Sequence, residues 1–262
     1  MSTPCRCAFL GLAAVAGLLH AESSDYPLAL NLPTVDRMQF WDIGVAFAHR
    51  FDEPAPGHGK DLYGLDGYAY PGFGFDFGIK PVKGLNAIIY RTADNKTLTF
   101  GFQQRVLDGS TVRLAVRAER FDEVVPRTVT ALGTVGIAGT SLQVPTEVFL
   151  GDLGVFTLVP TYLSRTTTRE QGLLTAGAGL RVYLTADLDV MAEYYPRPPK
   201  LGGTFRPGYA AGVTYRTLKH TFTLMATNAL GTTANQVLSG DFAGGPRSTG
   251  QWSLGFNLLR TF

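Results

Sequence analysis

The chain of 262 residues is poor in everything that metal, redox or nucleic-acid chemistry would need. It has two cysteines, Cys5 and Cys7, and both fall in its first twenty-one residues. Histidine occurs four times in all, too sparsely for paired-ligand spacing. Charge is scarce as well: Asp, Glu, Lys and Arg make up 17% of the chain, against roughly 25% in an ordinary soluble domain. With 23 basic and 21 acidic residues and no basic run, the balance argues against a nucleic-acid partner. Beyond Leu19 no stretch approaches the ~18 consecutive apolar residues of a transmembrane helix.

The start of the chain describes an export signal. A short cationic lead ending at Arg6 precedes an uncharged run from Cys7 to Leu19, which is too short to span a bilayer, and small residues follow near Ala21. The expected organisation is a signal peptide over 1–21, an N-terminal periplasmic lead-in over 22–37 and a barrel over 38–262. Neither cysteine then survives in the mature chain, which would have no disulfide and no thiolate metal site.

What is abundant is glycine, 31 residues, and alternation with a period of two. Ile43, Val45 and Phe47 alternate with Gly44, Ala46 and Ala48; Phe73, Phe75 and Phe77 alternate with Gly72, Gly74 and Asp76. The same pattern recurs at Leu98–Gln103, Val112–Arg117, Gly179–Leu184, Tyr209–Arg216 and Trp252–Leu259. A soluble sandwich buries its bulky face and charges the other. Here the second face is Gly, Ala, Ser and Thr with isolated charges, which fits a crowded lumen.

About twelve strands follow, near 38–51, 72–79, 85–92, 97–107, 111–121, 142–150, 153–163, 172–185, 188–196, 207–217, 220–229 and 250–262. Connections are mostly long on one side (52–71, 93–96, 122–141, 164–171, 197–206, 230–249) and all short on the other. That asymmetry predicts a closed antiparallel up-and-down transmembrane β-barrel of the Gram-negative outer membrane. Residues 128–141 fit a loop, a short helix or an extra hairpin equally, and strand 85–92 can face either Ile88 and Tyr90 or Ile89 and Arg91 to lipid. Strand-end aromatics (Phe40, Trp41, Tyr68, Tyr70, Tyr90, Tyr162, Tyr194, Tyr195, Tyr209, Tyr215, Trp252) are expected to form interfacial girdles. Arg260 near the end is expected to snorkel.

Several phrases resemble the bacterial barrels of the domain of unknown function 5777 family. They are His49-Arg50-Phe51, Tyr63-Gly64-Leu65-Asp66, Phe77-Gly78-Ile79, Ser141-Leu142-Gln143-Val144-Pro145, Ala192-Glu193-Tyr194-Tyr195, His220-Thr221-Phe222 through Thr227-Asn228, and Gly255 through Phe262. The resemblance implies a barrel and an outer-membrane location, and it implies no activity. At Thr217-Leu218-Lys219 the chain departs from the family's Gly-rich lead-in to His220.

Parity assigns twelve charges to the lumen, six of each sign: Asp42, Arg50, Asp76, Arg105, Arg113, Arg117, Glu119, Glu147, Arg181, Asp189, Glu193 and Arg216. They form either a lattice of ion pairs filling a narrow barrel or an arginine ladder facing carboxylates across an aqueous constriction. If a pore exists, the balance predicts weak ion selectivity. Phe256, Leu258 and terminal Phe262 resemble a barrel-assembly signal. No catalytic residue is assigned: His49 and His220 fall outward near opposite ends, and no Gly-x-Ser-x-Gly elbow occurs. Metal and cofactor are expected to be none. His58, Asp61 and Asp66 beside Asp52 and Glu53 lack EF-hand spacing, so they read as a solvated acidic loop, and Gly57-His58-Gly59-Lys60 reads as a turn. Expected partners are outer-membrane lipid and the barrel-assembly machinery, the protein itself being a monomer.

Overall fold

In lipid every backbone N–H and C=O must find a partner within the protein, and strands manage this only by closing on themselves. The computed structural model does so. It describes residues 29–35, 42–57, 59–79, 82–93, 96–126, 134–166, 172–196, 206–240, 248 and 250–262. The barrel strands are β1 (Ile43–Phe51), β2 (Ala69–Gly78), β3 (Leu85–Thr92), β4 (Leu98–Asp108), β5 (Val112–Pro126), β6 (Thr134–Gln143), β7 (Thr146–Phe149), β8 (Gly154–Leu163), β9 (Leu173–Tyr183), β10 (Leu188–Tyr195), β11 (Gly208–Arg216), β12 (His220–Thr227) and β13 (Ser253–Thr261). Except between β6 and β7, each pairs antiparallel with its sequence neighbours, and β1 pairs with β13 from Gly44 opposite Thr261 to Arg50 opposite Gly255.

β6 and β7 are one stave of the barrel. Both pair with β5 and with β8, and Arg117 opposite Gln143 and Leu114 opposite Thr146 keep one register. The interruption is Pro145, which has no N–H to give; its carbonyl still accepts from the Ala115 N–H at 2.9 Å. The closed barrel therefore has twelve staves. Residues 128–141, open between loop, helix and hairpin in the sequence, are strand from Thr134 on: β5 and β6 continue as one hairpin up to Pro126 opposite Thr134. Residues 36–41, including Phe40 and Trp41, lie outside the described residues, as do the segment expected to be a signal peptide and His58.

Side-chain direction follows the expected parity. On β8 and β10 buried and exposed positions alternate almost without a break. The exposed set is apolar and aromatic, including Phe73, Phe102, Leu174, Tyr215 and Leu224, as hydrocarbon demands of the outer wall. Strand β3 resolves to Ile88 and Tyr90 inward with Ile89 and Arg91 outward. Three members of the expected girdles are thereby corrected: Tyr90 and Tyr195 are buried lumen residues, the latter 1% exposed, and half-buried Tyr70, opposite Arg50, packs against the apolar cluster inside the barrel. Arg260 is outward, its guanidinium 4.5 Å from the Phe262 ring centroid. A bulge between Arg105 and Leu107 twists β4 against β5 near the short-turn end.

Two segments lie inside the barrel. Residues 29–35, a strap that the sequence assigned to a periplasmic lead-in, are all buried. So is the connection from β12 toward β13 over 228–240, which includes the short helix α1 (Ala234–Ser239). By contrast the first long loop, 52–68, is largely exposed among its described residues. No helix of the described residues is long and apolar enough to cross a membrane.

Candidate functional site: the filled lumen

The wall charges named by parity are on the inner side. Ten of them are buried, from Asp189 and Arg50 at 0% and 1% exposure to Arg113 at 8%, and Asp42 and Arg105 are half-buried. What the structure adds is how they pair. Arg117 donates from Nε to Glu119 Oε1 at 2.7 Å on its own strand. Glu119 Oε2 accepts from Ser141 Oγ at 3.0 Å and Gln143 Nε2 at 2.7 Å on the next stave. Arg216 on β11 pairs with Asp189 on the adjoining β10 and lies 6.0 Å from the Tyr183 ring. Arg105 and Arg113 both reach Asp108 at the short-turn end, at 3.5 and 3.3 Å. Arg113 also stacks 4.3 Å from the Phe149 ring centroid. Glu147 and Arg181 border a cavity of about 10 Å³ next to Ala29.

These pairs run along the wall, between residues two or three apart or on neighbouring strands. They are not an arginine ladder facing carboxylates across open water, because chain occupies the space between the walls. Burying an ion costs several kcal/mol unless its partners are close and its remaining lone pairs are filled. Neighbouring strand positions meet that condition without help from the opposite wall.

Arg50 and Glu193 differ from the rest, because they hold the strap. Glu193 accepts three backbone N–H groups, Leu30 at 2.8 Å, Asn31 at 2.9 Å and Leu32 at 3.2 Å, and the Tyr195 hydroxyl as well. Arg50 donates to Asn31 Oδ1 at 2.6 Å and to Asn257 Oδ1 at 2.9 Å. Asn257 Nδ2 donates to the Leu30 carbonyl at 2.7 Å, and Gln103 Nε2 to that of Thr34 at 3.0 Å. Charge-assisted bonds of this kind are about twice as strong as neutral ones.

The inward loop is held differently. Leu230, Ala234, Val237 and Leu238 form an apolar cluster with Leu32 of the strap and with Val159 and Tyr195 of the wall. Its polar ties are Thr175 Oγ1 to the Leu238 carbonyl at 3.2 Å, Gln236 Nε2 to Thr97 Oγ1 at 3.2 Å and, at its root, Asn228, whose Oδ1 accepts the Tyr209 N–H at 2.7 Å and whose Nδ2 donates to the Pro207 carbonyl at 3.0 Å; none involves a charged group. Lumen glycines make the room. A Cβ on Gly177 would sit 2.5 Å from a Leu32 methyl and 2.8 Å from a Leu238 methyl, so strap and loop both rest on that residue. Gly74 likewise accommodates the inward Tyr90 ring, 2.1 Å from where its Cβ would be.

Reading charges by parity missed Asn31, Tyr195, Gln103, Gln143 and Asn257, neutral residues that complete the network. It also missed both internal segments. The signal for the loop was present: 228–240 contains no charged residue, whereas 52–68, 164–171 and 197–206 on the same side all do.

His49 and His220 are at opposite ends of the wall and both face outward. His49 packs between Phe47 and Phe256, and His220 stacks on Phe222. No group of three His, Cys, Asp or Glu among the described residues is arranged to hold a metal. Phe256 and Leu258 face outward on β13, and Phe262 follows at its end, more than half exposed.

Residues 153–262 match the family described as membrane bound beta barrel domain (DUF5777). The match covers β8 to β13, so the phrases at 49–51, 63–66, 77–79 and 141–145 fall outside it. No curated protein sequence matches the chain. Among solved structures it is similar to the Acinetobacter baumannii outer membrane protein Omp33, with 9% identity, 85% of this chain and 98% of that one covered, and a TM-score of 0.46. It is also similar to the KdgM porin in complex with disordered oligogalacturonate, with 8% identity, 84% and 99% covered and a TM-score of 0.48. A third is the CymD monoaromatic hydrocarbon channel, with 10% identity, 86% and 89% covered and a TM-score of 0.43.

Proposed function

Since the chain carries a membrane-bound β-barrel domain over residues 153–262, we propose that it is an outer-membrane channel for small polar solutes, closed at rest by the strap and the inward loop. The observation that carries this reading is that several wall charges are paired on the wall itself. Arg117 with Glu119 and Arg216 with Asp189 need nothing from the lumen's centre, so withdrawing the loop leaves both pairs intact. A barrel filled only for rigidity has no use for that many ionised groups, since well-packed apolar side chains stabilise an interior at least as well as buried ion pairs. With six charges of each sign named by parity and Glu123 buried beside them at 3% exposure, the lumen is close to balanced and passage discriminates weakly between small cations and anions. The protein works as a monomer in lipid, delivered by barrel-assembly machinery reading Phe256, Leu258 and Phe262. It takes no cofactor and performs no catalysis.

The test is conductance in planar bilayers. Refolded full-length chain is expected to be silent or to flicker. A variant with 230–240 replaced by a short Gly-Ser linker is expected to give stable steps and a reversal potential near zero in a KCl gradient. If that variant folds, as judged by its resistance to unfolding in cold detergent, and still passes no current, the barrel is a scaffold whose loops bind a partner and the channel reading is lost.

A further inference from the structure

One face of the inward loop meets the wall where polar groups converge with too few partners. A cavity of about 20 Å³ is bounded there by Asp76 on β2, Thr99 on β4, Arg117 and Glu119 on β5, and Thr232 and Thr233 of the loop. Of the two carboxylates, Glu119 is already committed through both oxygens to Arg117, Ser141 and Gln143. The Tyr90 and Thr232 hydroxyls lie side by side against Gly72. Asp76 Oδ1, Thr99 Oγ1 and Thr233 Oγ1 have no hydrogen-bond partner among the described residues. All three side chains are more than nine-tenths buried, at 6%, 2% and 7% exposure.

A dry carboxylate oxygen without a donor is among the costliest groups a protein can bury. Charge and size narrow what can relieve it. Asp76, Glu119 and Arg117 sum to a single negative charge, which one monovalent cation cancels. A divalent ion would leave the site positive, and calcium asks for six or more oxygens. An oxyanion would meet two carboxylates. The space admits something the size of a water molecule, since about 10–15 Å³ is the room one water needs.

We propose that this cavity binds one sodium-sized monovalent cation, held by the Asp76 carboxylate and the Thr99 and Thr233 hydroxyl oxygens, and that the ion ties the inward loop to the wall at β2 and β4. The site depends on the loop lying inward and not on the barrel conducting, so it can hold or fail independently of the channel reading.

The test uses the refolded full chain in detergent at fixed pH, with sodium chloride replacing choline chloride at constant ionic strength. Thermal unfolding and ²³Na line broadening are the readouts. The expected result is a saturable rise in unfolding temperature with sodium, accompanied by line broadening. Both are lost in Asp76→Asn and unchanged in Asp122→Asn, whose parent carboxylate pairs with exposed Arg120. Thr233→Val keeps shape while removing one oxygen, and it is expected to weaken the apparent sodium affinity about tenfold. Should Asp76→Asn not refold, the Thr233→Val shift decides alone. No sodium response beyond that of choline means that the cavity holds ordered water only, and it overturns the proposal. An equal response in wild type and Asp76→Asn overturns it too, as does an unshifted affinity in Thr233→Val.

Discussion

The strap and the inward loop fill the same lumen by opposite means. The strap is a run of seven described residues fixed through its backbone: three successive N–H groups go to one carboxylate, and two carbonyls accept from Asn257 and Gln103. The loop is fixed through side-chain shape, with Leu230, Val237 and Leu238 in an apolar cluster and its hydroxyl face on underfilled ground. Hydrogen bonds to ionised groups are directional and set a register, whereas apolar contact depends on buried area and tolerates sliding. The strap is therefore built to stay and the loop is built to be movable.

The sharpest way to break this comparison is Glu193→Ala. It leaves three backbone donors and the Tyr195 hydroxyl without their acceptor, and each buried group left so costs about 1–3 kcal/mol. Amides of Leu30, Asn31 and Leu32 are expected to exchange with solvent at least about a hundredfold faster, since local opening free energy sets exchange. The Val237 amide, bonded within the loop to the Thr233 carbonyl, should keep its rate. Equal acceleration at Val237 would mean that strap and loop open as one unit.

Gly177→Val probes a place where the wall meets both segments at once. Its added carbons fall on the methyls of Leu32 and Leu238, and overpacking of this kind costs about 1–3 kcal/mol. Here exchange at Leu32 and at Val237 should rise together. A rise confined to Val237 would show that the loop alone absorbs strain, which makes the contrast between the segments stronger than drawn.

How much of this was legible follows from what leaves a periodic mark. Strands do, because a wall between lipid and lumen forces bulky and small residues to alternate, as at Phe73-Gly74-Phe75-Asp76-Phe77. The side of each wall charge followed from the same alternation, since Arg117 and Glu119 share parity with Ala115. Strand β3 did not yield, because Ile88, Ile89 and Tyr90 are apolar in both parities; the Gly72 and Gly74 openings that receive Tyr90 lie on another strand. The strap and loop also escaped. A segment surrounded by protein on all sides has no second solvent to impose a period, so Leu30-Asn31-Leu32 and Leu230 through Leu238 show none. Absence of charge was their only mark. The ion pairs escaped for a related reason: parity says which face a charge is on and nothing about whether its partner stands beside it or across.

The smallest effect tests whether the loop's few polar ties matter at all. Gln236 reaches Thr97 at the start of β4 through Nε2 at 3.2 Å and accepts the Thr232 N–H at 3.3 Å. Gln236→Leu preserves volume and removes both bonds, a change worth about 1 kcal/mol where net hydrogen-bond energies hold. Val237 exchange should rise by about fivefold, the Boltzmann equivalent, with the strap amides unmoved. Since both bonds are long and neutral, no change at all would assign the loop's position to its apolar cluster and to the ties at Thr175 and Asn228. Leu238→Ala would then become the larger perturbation, because truncating a buried leucine costs about 2–5 kcal/mol whatever the hydrogen bonds contribute.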